Sequence, residues 1–233
     1  MTADLVAKDI GEALRDELGL GHREPFEPQT AADLVRDYMG GRFTGAAFDT
    51  YGSNDPGRIS SDDLVAVTML SISIREGSTS ALRPSTILKL QADSVRVESW
   101  LQELPTNRGL HTLSSTEFES WLGSESPGDQ LYRFLRRELD VPRVATHKLL
   151  ARKRPLLLPI RDSVVEKALG LGNRNDLWWR PWWSALHTND AVVARLREIR
   201  DLAEVPDLSL LRIADIIIWL RNRRGRQSPV SPG

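Results

Sequence analysis

The chain has 233 residues, 40% of them hydrophobic and 27% charged, with a net charge of −1 and no cysteine. This is a globular composition, long enough for one good-sized core or two small lobes. The absent thiols exclude disulfides, thiolate zinc sites, cysteine nucleophiles and cysteine-ligated iron–sulfur clusters.

The four histidines, His22, His111, His147 and His187, are scattered without metal-ligand spacing, so neither a metal nor a cofactor is expected. No long uncharged apolar run occurs. The opening MTADLVAKDIGEALRDELG carries acids where a secretion signal carries a basic segment and an apolar core, which predicts a cytoplasmic protein.

Taken in chain order, helical periodicity recurs and strand alternation hardly appears. Leu5, Val6, Ile10, Leu14 and Leu18 space as one helix face, and Thr30 with Asp33 opens a second helix carrying Leu34 and Tyr38. Residues 40–56, GGRFTGAAFDTYGSNDP, form a glycine-rich loop anchored by Phe43, Phe48 and Tyr51. Ser60 or Ser61 caps the most apolar helix, from Leu64 to Ile74. Pro84 starts a helix that runs through Leu101 to a stop at Pro105. Ser114 to Glu117 form a capping-box pattern before Phe118 and Leu122. Pro127 begins a helix through Leu139. Further helices are predicted over 162–169, 190–203 and 207–223, with a tryptophan cluster before the second of these and a disordered tail from Gly225. The prediction is an all-α fold of about ten helices in one or two lobes. It divides into an N-terminal helical region over 1–104, a second region over 105–224, and the tail 225–233.

Charge is unevenly distributed. The first sixty or so residues are acidic, whereas Arg133, Arg136, Arg137, Arg143, Lys148, Arg152, Lys153, Arg154 and Arg161 are opposed in their stretch only by Glu138 and Asp140. Such a cluster can bind phosphate on a neutral protein; it can equally be a solvated helix face. Within this stretch, Tyr132, Leu135 and Leu139 form an apolar face ending at Asp140-Val141-Pro142. The proline removes an amide donor and favours a turn. Val144, Leu149 and Leu150 then begin a second helix, whose positive end and first amides can meet a phosphate. Pro155 to Pro159 lead stiffly to Asp162, which stands where an N-cap belongs.

The order of these features resembles the helix-hairpin-helix DNA glycosylases of the endonuclease III type. Residues 139–146, LDVPRVAT, occupy the place of that superfamily's L-P-G-x-G-x-x-T-A hairpin, and residues 159–165, PIRDSVV, that of its catalytic aspartate segment. Val144 falls at the hairpin position that carries a lysine in bifunctional members, 18 residues before Asp162. Asp140 and Pro142 replace both hairpin glycines, which weakens or reshapes the amide cradle, because proline has no N–H and a carboxylate repels phosphate. The resemblance implies double-stranded DNA as partner and Asp162 as the catalytic carboxylate of a monofunctional enzyme hydrolysing the N-glycosidic bond of a damaged or modified base. Val144 cannot form the Schiff base of the lyase reaction. It places Val141, Arg143, Val144, Lys148, Arg152, Lys153 and Arg154 near DNA. FDTYGSN, DLVAVTMLSI and KLLARKRP are also similar to an uncharacterised bacterial family of unknown function.

Base excision requires a pocket for the flipped base. Tyr51 and Asn54 of the glycine-rich loop are candidate pocket walls, as are Trp178 and Trp179 from a stretch, 177–183, that holds four of the seven tryptophans. Three functions stay open: a glycosylase, a non-catalytic DNA-binding descendant of that fold, and a helical interaction protein in which Asp162 only caps a helix.

Overall fold

The computed structural model describes residues 10–21, 26–75, 81–171 and 178–223. Among these the regular structure is helical, apart from one isolated parallel bridge between Ile74 and Leu82. The helices in chain order are α1 (Gly11–Glu17), α2 (Pro28–Asp37), α3 (Ser61–Thr68), α4 (Pro84–Ala92), α5 (Ser94–Glu103), α6 (Ser115–Leu122), α7 (Pro127–Arg133), α8 (Arg143–Lys153), α9 (Ser163–Ala168), α10 (Trp179–His187), α11 (Asp190–Leu202) and α12 (Leu210–Asn222). A π-helical turn, Phe134–Glu138, extends α7. The predicted all-α class holds. No described helix is long and apolar enough to cross a membrane. His22, Leu177 and the tail from Gly225 lie outside the described residues.

Local side-chain chemistry sets many of the helix starts. Asp63 reaches back to the Ser60 amide at 2.7 Å, opening α3. Ser114 accepts from the Glu117 amide at 3.2 Å while the Glu117 carboxylate accepts from the Ser114 amide at 2.9 Å, the capping box expected at α6. The Ser114 amide and hydroxyl, both donating to the carboxylate, hold the Glu117 carboxyl below its ordinary range, helped by the charge of Arg108. Pro84 and Pro127 occupy first-turn positions.

Three predicted boundaries differ. The apolar helix from Leu64 to Ile74 ends at Thr68, because Ser71 turns the chain with φ of 65° and Ile74 then pairs with Leu82. The single helix from Pro84 to Pro105 is two, broken at Asp93 (φ −103°, ψ 18°). The second helix begins at Pro28 rather than Thr30.

The chain folds as two compact units: the residues up to Arg36 together with those from Asp162 onward, and the intervening 37–161. Leu104 lies inside the second unit. In the first unit α12 is the core helix, with every residue from Leu211 to Ile218 buried, and it packs on α9, α11 and α1. A buried ion pair on this helix, Arg212 with Asp215 at 2.5 Å, joins residues one turn apart. Trp178, Trp179 and Trp182 are also buried. In the second unit α8 has the corresponding place, buried from Ala145 to Lys153, with α3 and α7 against it.

Candidate functional site

The helix hairpin and the basic run are parts of one stretch of chain, but they meet different surroundings. The π-turn after α7 closes when the Val141 amide donates to Leu135 O at 2.9 Å and the Leu139 amide to Phe134 O at 3.1 Å. Asp140, between them, has φ of 57°, the left-handed conformation that glycine adopts most freely. Pro142 then serves as N-cap of α8 without a capping side chain. Arg136 donates to Val141 O, and Thr146 Oγ1 donates to Pro142 O at 3.1 Å, so the turn is fastened from both helices. The Asp140 carboxylate is paired with Arg83, and Glu138 with Arg96 at 3.1 Å.

Beyond the turn, α8 carries its cations inward. Arg152 and Lys153 have fully buried side chains, and both meet the equally buried carboxylate of Asp63: Arg152 Nε at 2.8 Å, Lys153 Nζ at 2.5 Å. The rest of their donors go to the glycine-rich loop. Arg152 donates to Phe48 O and Tyr51 O; Lys153 donates to Asn54 Oδ1 and Asp55 O, each at 3.0 Å. Arg154 donates to Pro56 O at 2.8 Å, Leu104 O at 2.9 Å and Leu101 O. Lys148 donates to Leu70 O at 2.6 Å. One carboxylate thus faces two cations, and backbone carbonyl dipoles supply most of the remaining solvation that burial removes. Burial lowers the Lys153 ammonium from its ordinary value, the Asp63 carboxylate opposes that shift, and burial brings Arg154 down to about 10. Arg154 therefore keeps its charge at neutral pH.

This corrects the expected phosphate contacts. Lys148, Arg152, Lys153 and Arg154 are each only 2% exposed and hold the chain's own carbonyls. Val141 is fully buried and its amide is already bonded within the turn. Only Arg143 and Val144, in the first turn of α8, are half-exposed. Among the aromatic candidates, Trp178 and Trp179 are core residues at 5% and 3% exposure, because apolar burial outweighs any exposed use of the rings. Trp183, half-buried, stacks on His187 with centroids 5.2 Å apart. Tyr51 is exposed and gives its carbonyl to Arg152; the Asn54 amide group bridges Arg152 O at 3.1 Å and Lys153 Nζ, which makes it a fastener of the loop.

Asp162 precedes α9 in extended backbone (φ −133°, ψ 144°), and its Oδ1 accepts from the Val164 amide at 2.8 Å. It is an N-cap, and half-exposed. Sequence reasoning missed Asp63. Its signal was an acid three residues into an apolar helix after Ser60, which reads as a capping box and conceals the buried pairing. His147, two turns before the Arg-Lys-Arg run's end, is also buried, tilted against Tyr132 with centroids 4.9 Å apart. Burial, then the charges of Arg161, Arg143 and Arg136, hold its pKa well below the ordinary histidine value. Among the described residues no group of three or more His, Cys, Asp or Glu side chains is placed to hold a metal.

The fold and these contacts define an all-helical protein whose glycine-rich loop is fastened to a central helix by buried cations. The chain belongs to a family of unknown function, DUF6308, whose model matches residues 31–222. No curated protein and no solved structure matches the chain. The three stretches similar to the bacterial family, FDTYGSN, DLVAVTMLSI and KLLARKRP, all lie in the matched region. They meet around Asp63: the first and third through the Arg152 and Lys153 bonds, the second through Asp63 itself and Leu70.

Proposed function

We propose that the chain binds duplex DNA through the hairpin of residues 134–153 and removes a damaged or modified base, with Asp162 as the catalytic carboxylate. The observation that carries this reading is the backbone at Asp140, whose φ of 57° lies in the left-handed region that glycine adopts most freely, at the position where the resemblance places the hairpin's first glycine. A turn of glycine-like backbone geometry supports the reading although the residue is aspartate. Phosphate contact falls to the first turn of α8, at Arg143 and Val144, with the exposed Arg137 beside the turn.

In the reaction the C1′–N bond breaks, the base leaves with the bonding electrons and takes up a proton, and water adds to C1′. Positive charge builds on the sugar, and an ionised Asp162 stabilises it and orients the water. Its Oδ1 accepts from the Val164 amide, which fixes the side chain at the start of α9. With Val144 at the lysine position, the reaction stops at base removal. The same cap supports a second reading, a DNA-binding protein without catalysis, since an N-cap aspartate needs no other role.

The test is an excision assay over a panel of damaged and modified duplexes, comparing wild type with Asp162→Asn. Asparagine caps about as well as aspartate, so folding is retained. Loss of roughly 100-fold or more in the variant supports the assignment; equal excision by both proteins contradicts it. Salt-dependent binding without excision selects the non-catalytic reading, and no binding even at low salt leaves the helical interaction protein.

A further inference from the structure

We propose that Arg83 is a positioning residue for the hairpin: it neutralises Asp140, so that a turn carrying a carboxylate in place of glycine still accepts a phosphate. The proposal rests on the duplex-binding reading above. The two acids within the basic segment between Arg133 and Arg161 are taken by arginines from outside it, Asp140 by Arg83 and Glu138 by Arg96. The turn between them carries Arg136 and the exposed Arg137 before it, and Arg143 after it. With these two acids neutralised, Arg136, Arg137 and Arg143 give the turn a positive field.

Arg83 is held for this task by its backbone. It precedes Pro84, which favours the extended conformation it shows (φ −101°, ψ 141°). Leu82, just before it, donates to Ser73 O and accepts from the Arg75 amide, both at 2.8 Å. The arginine thus projects from a tied segment to a partner 57 residues later in the chain. Its side chain is 29% exposed and that of Asp140 51%, so the pair adds little to folding. A carboxylate at the turn without its arginine would instead repel a phosphate approaching the start of α8. Arg96 has a packing role as well, lying 4.6 Å above the Phe134 ring and 5.3 Å above that of Trp100, which makes Arg83 the cleaner position to test.

Anisotropy titrations of the full chain with a fluorescent duplex oligonucleotide, at several salt concentrations, read the effect. Arg83→Gln should weaken low-salt binding about fivefold, with its thermal unfolding close to that of wild type. Adding Asp140→Asn to Arg83→Gln should return the affinity to within about twofold of wild type, since the charge that Arg83 covers is then gone. Asp140→Gly, which φ of 57° accommodates, should rescue in the same way. Unchanged binding by Arg83→Gln, or rescue by neither second substitution, overturns the proposal; the latter would make Arg83 itself a phosphate ligand. Absence of duplex binding by the wild type at low salt is a different result, which removes the duplex-binding reading and this inference with it.

Discussion

Replacing Asp63 with asparagine keeps the shape of the side chain and removes the carboxylate shared by Arg152 and Lys153. Asp63 Oδ1 holds Arg152 Nε at 2.8 Å and Lys153 Nζ at 2.5 Å, while Oδ2 holds the Ser60 amide at 2.7 Å and its hydroxyl at 3.1 Å. All three charged side chains have no exposed surface. Removing one partner of a buried ion pair and leaving the other costs about 3–5 kcal/mol, and weakening the start of α3 adds roughly 1 kcal/mol. Against a total stability of roughly 5–15 kcal/mol, that loss should bring the chain near unfolding. Urea denaturation followed by circular dichroism gives the measurement. The cycle with Lys153→Met separates charge from shape: deleting the surplus cation in the Asp63→Asn background should recover at least about 1 kcal/mol relative to the sum of the single changes. A loss below about 1 kcal/mol for Asp63→Asn, or additive single changes, would show that the carbonyls alone solvate the two cations and that the pairing described here is not what holds them.

Two further outcomes can be checked in the same way. Because the His147 pKa is lowered in the folded protein, the unfolded chain takes up a proton first as pH falls below about 6.5, so stability should drop by up to about 1.4 kcal/mol per pH unit there; His147→Gln should flatten that part of the curve, and an unchanged slope would assign it to other groups. Gly45→Ala should lower the Tm, because a Cβ there would lie 2.0 Å from Tyr38 Oη and 3.0 Å from Leu70 Cδ2, an overpacking worth about 1–3 kcal/mol. Gly40→Ala, with nothing within 4 Å of the new atom, is the control, and equal Tm values for the two variants would count against the close approach.

What could be read from the sequence follows from how far apart the interacting groups are along the chain. The starts at Pro84, Ser114, Pro127 and Asp162 depend on contacts within one helical turn, and each was visible in the letters. The fate of the basic run depends on partners much further away. Asp63 lies 89 residues before Arg152, and Phe48 O is 104 residues distant. Acceptors of this second kind leave no mark in a sequence at all, since a carbonyl has no side chain to betray it. The flanking leucines of KLLARKRPLLLP were the available sign that the run is interior, for cations set among apolar residues on both sides accompany the chain into the core. The break at Asp93 was hidden because aspartate caps and interrupts helices with the same chemistry. For the candidate catalytic residue, the N-cap position of Asp162 was legible and is present; the hairpin turn was legible as a turn, and its glycine-like backbone at Asp140 was not.

The clamp on the glycine-rich loop recognises its target without reading its letters. Arg152, Lys153 and Arg154 fasten Phe48, Tyr51, Asp55 and Pro56 by their carbonyl oxygens, a group common to all twenty residue types. Asn54 is held by its side chain, and the Phe48 ring lies under the Arg152 guanidinium at 5.9 Å. Sequence in this loop is therefore free to drift at most of the clamped positions, whereas its length is not: one residue added or removed between Phe48 and Pro56 would move the oxygens past donors that are fixed on a buried helix.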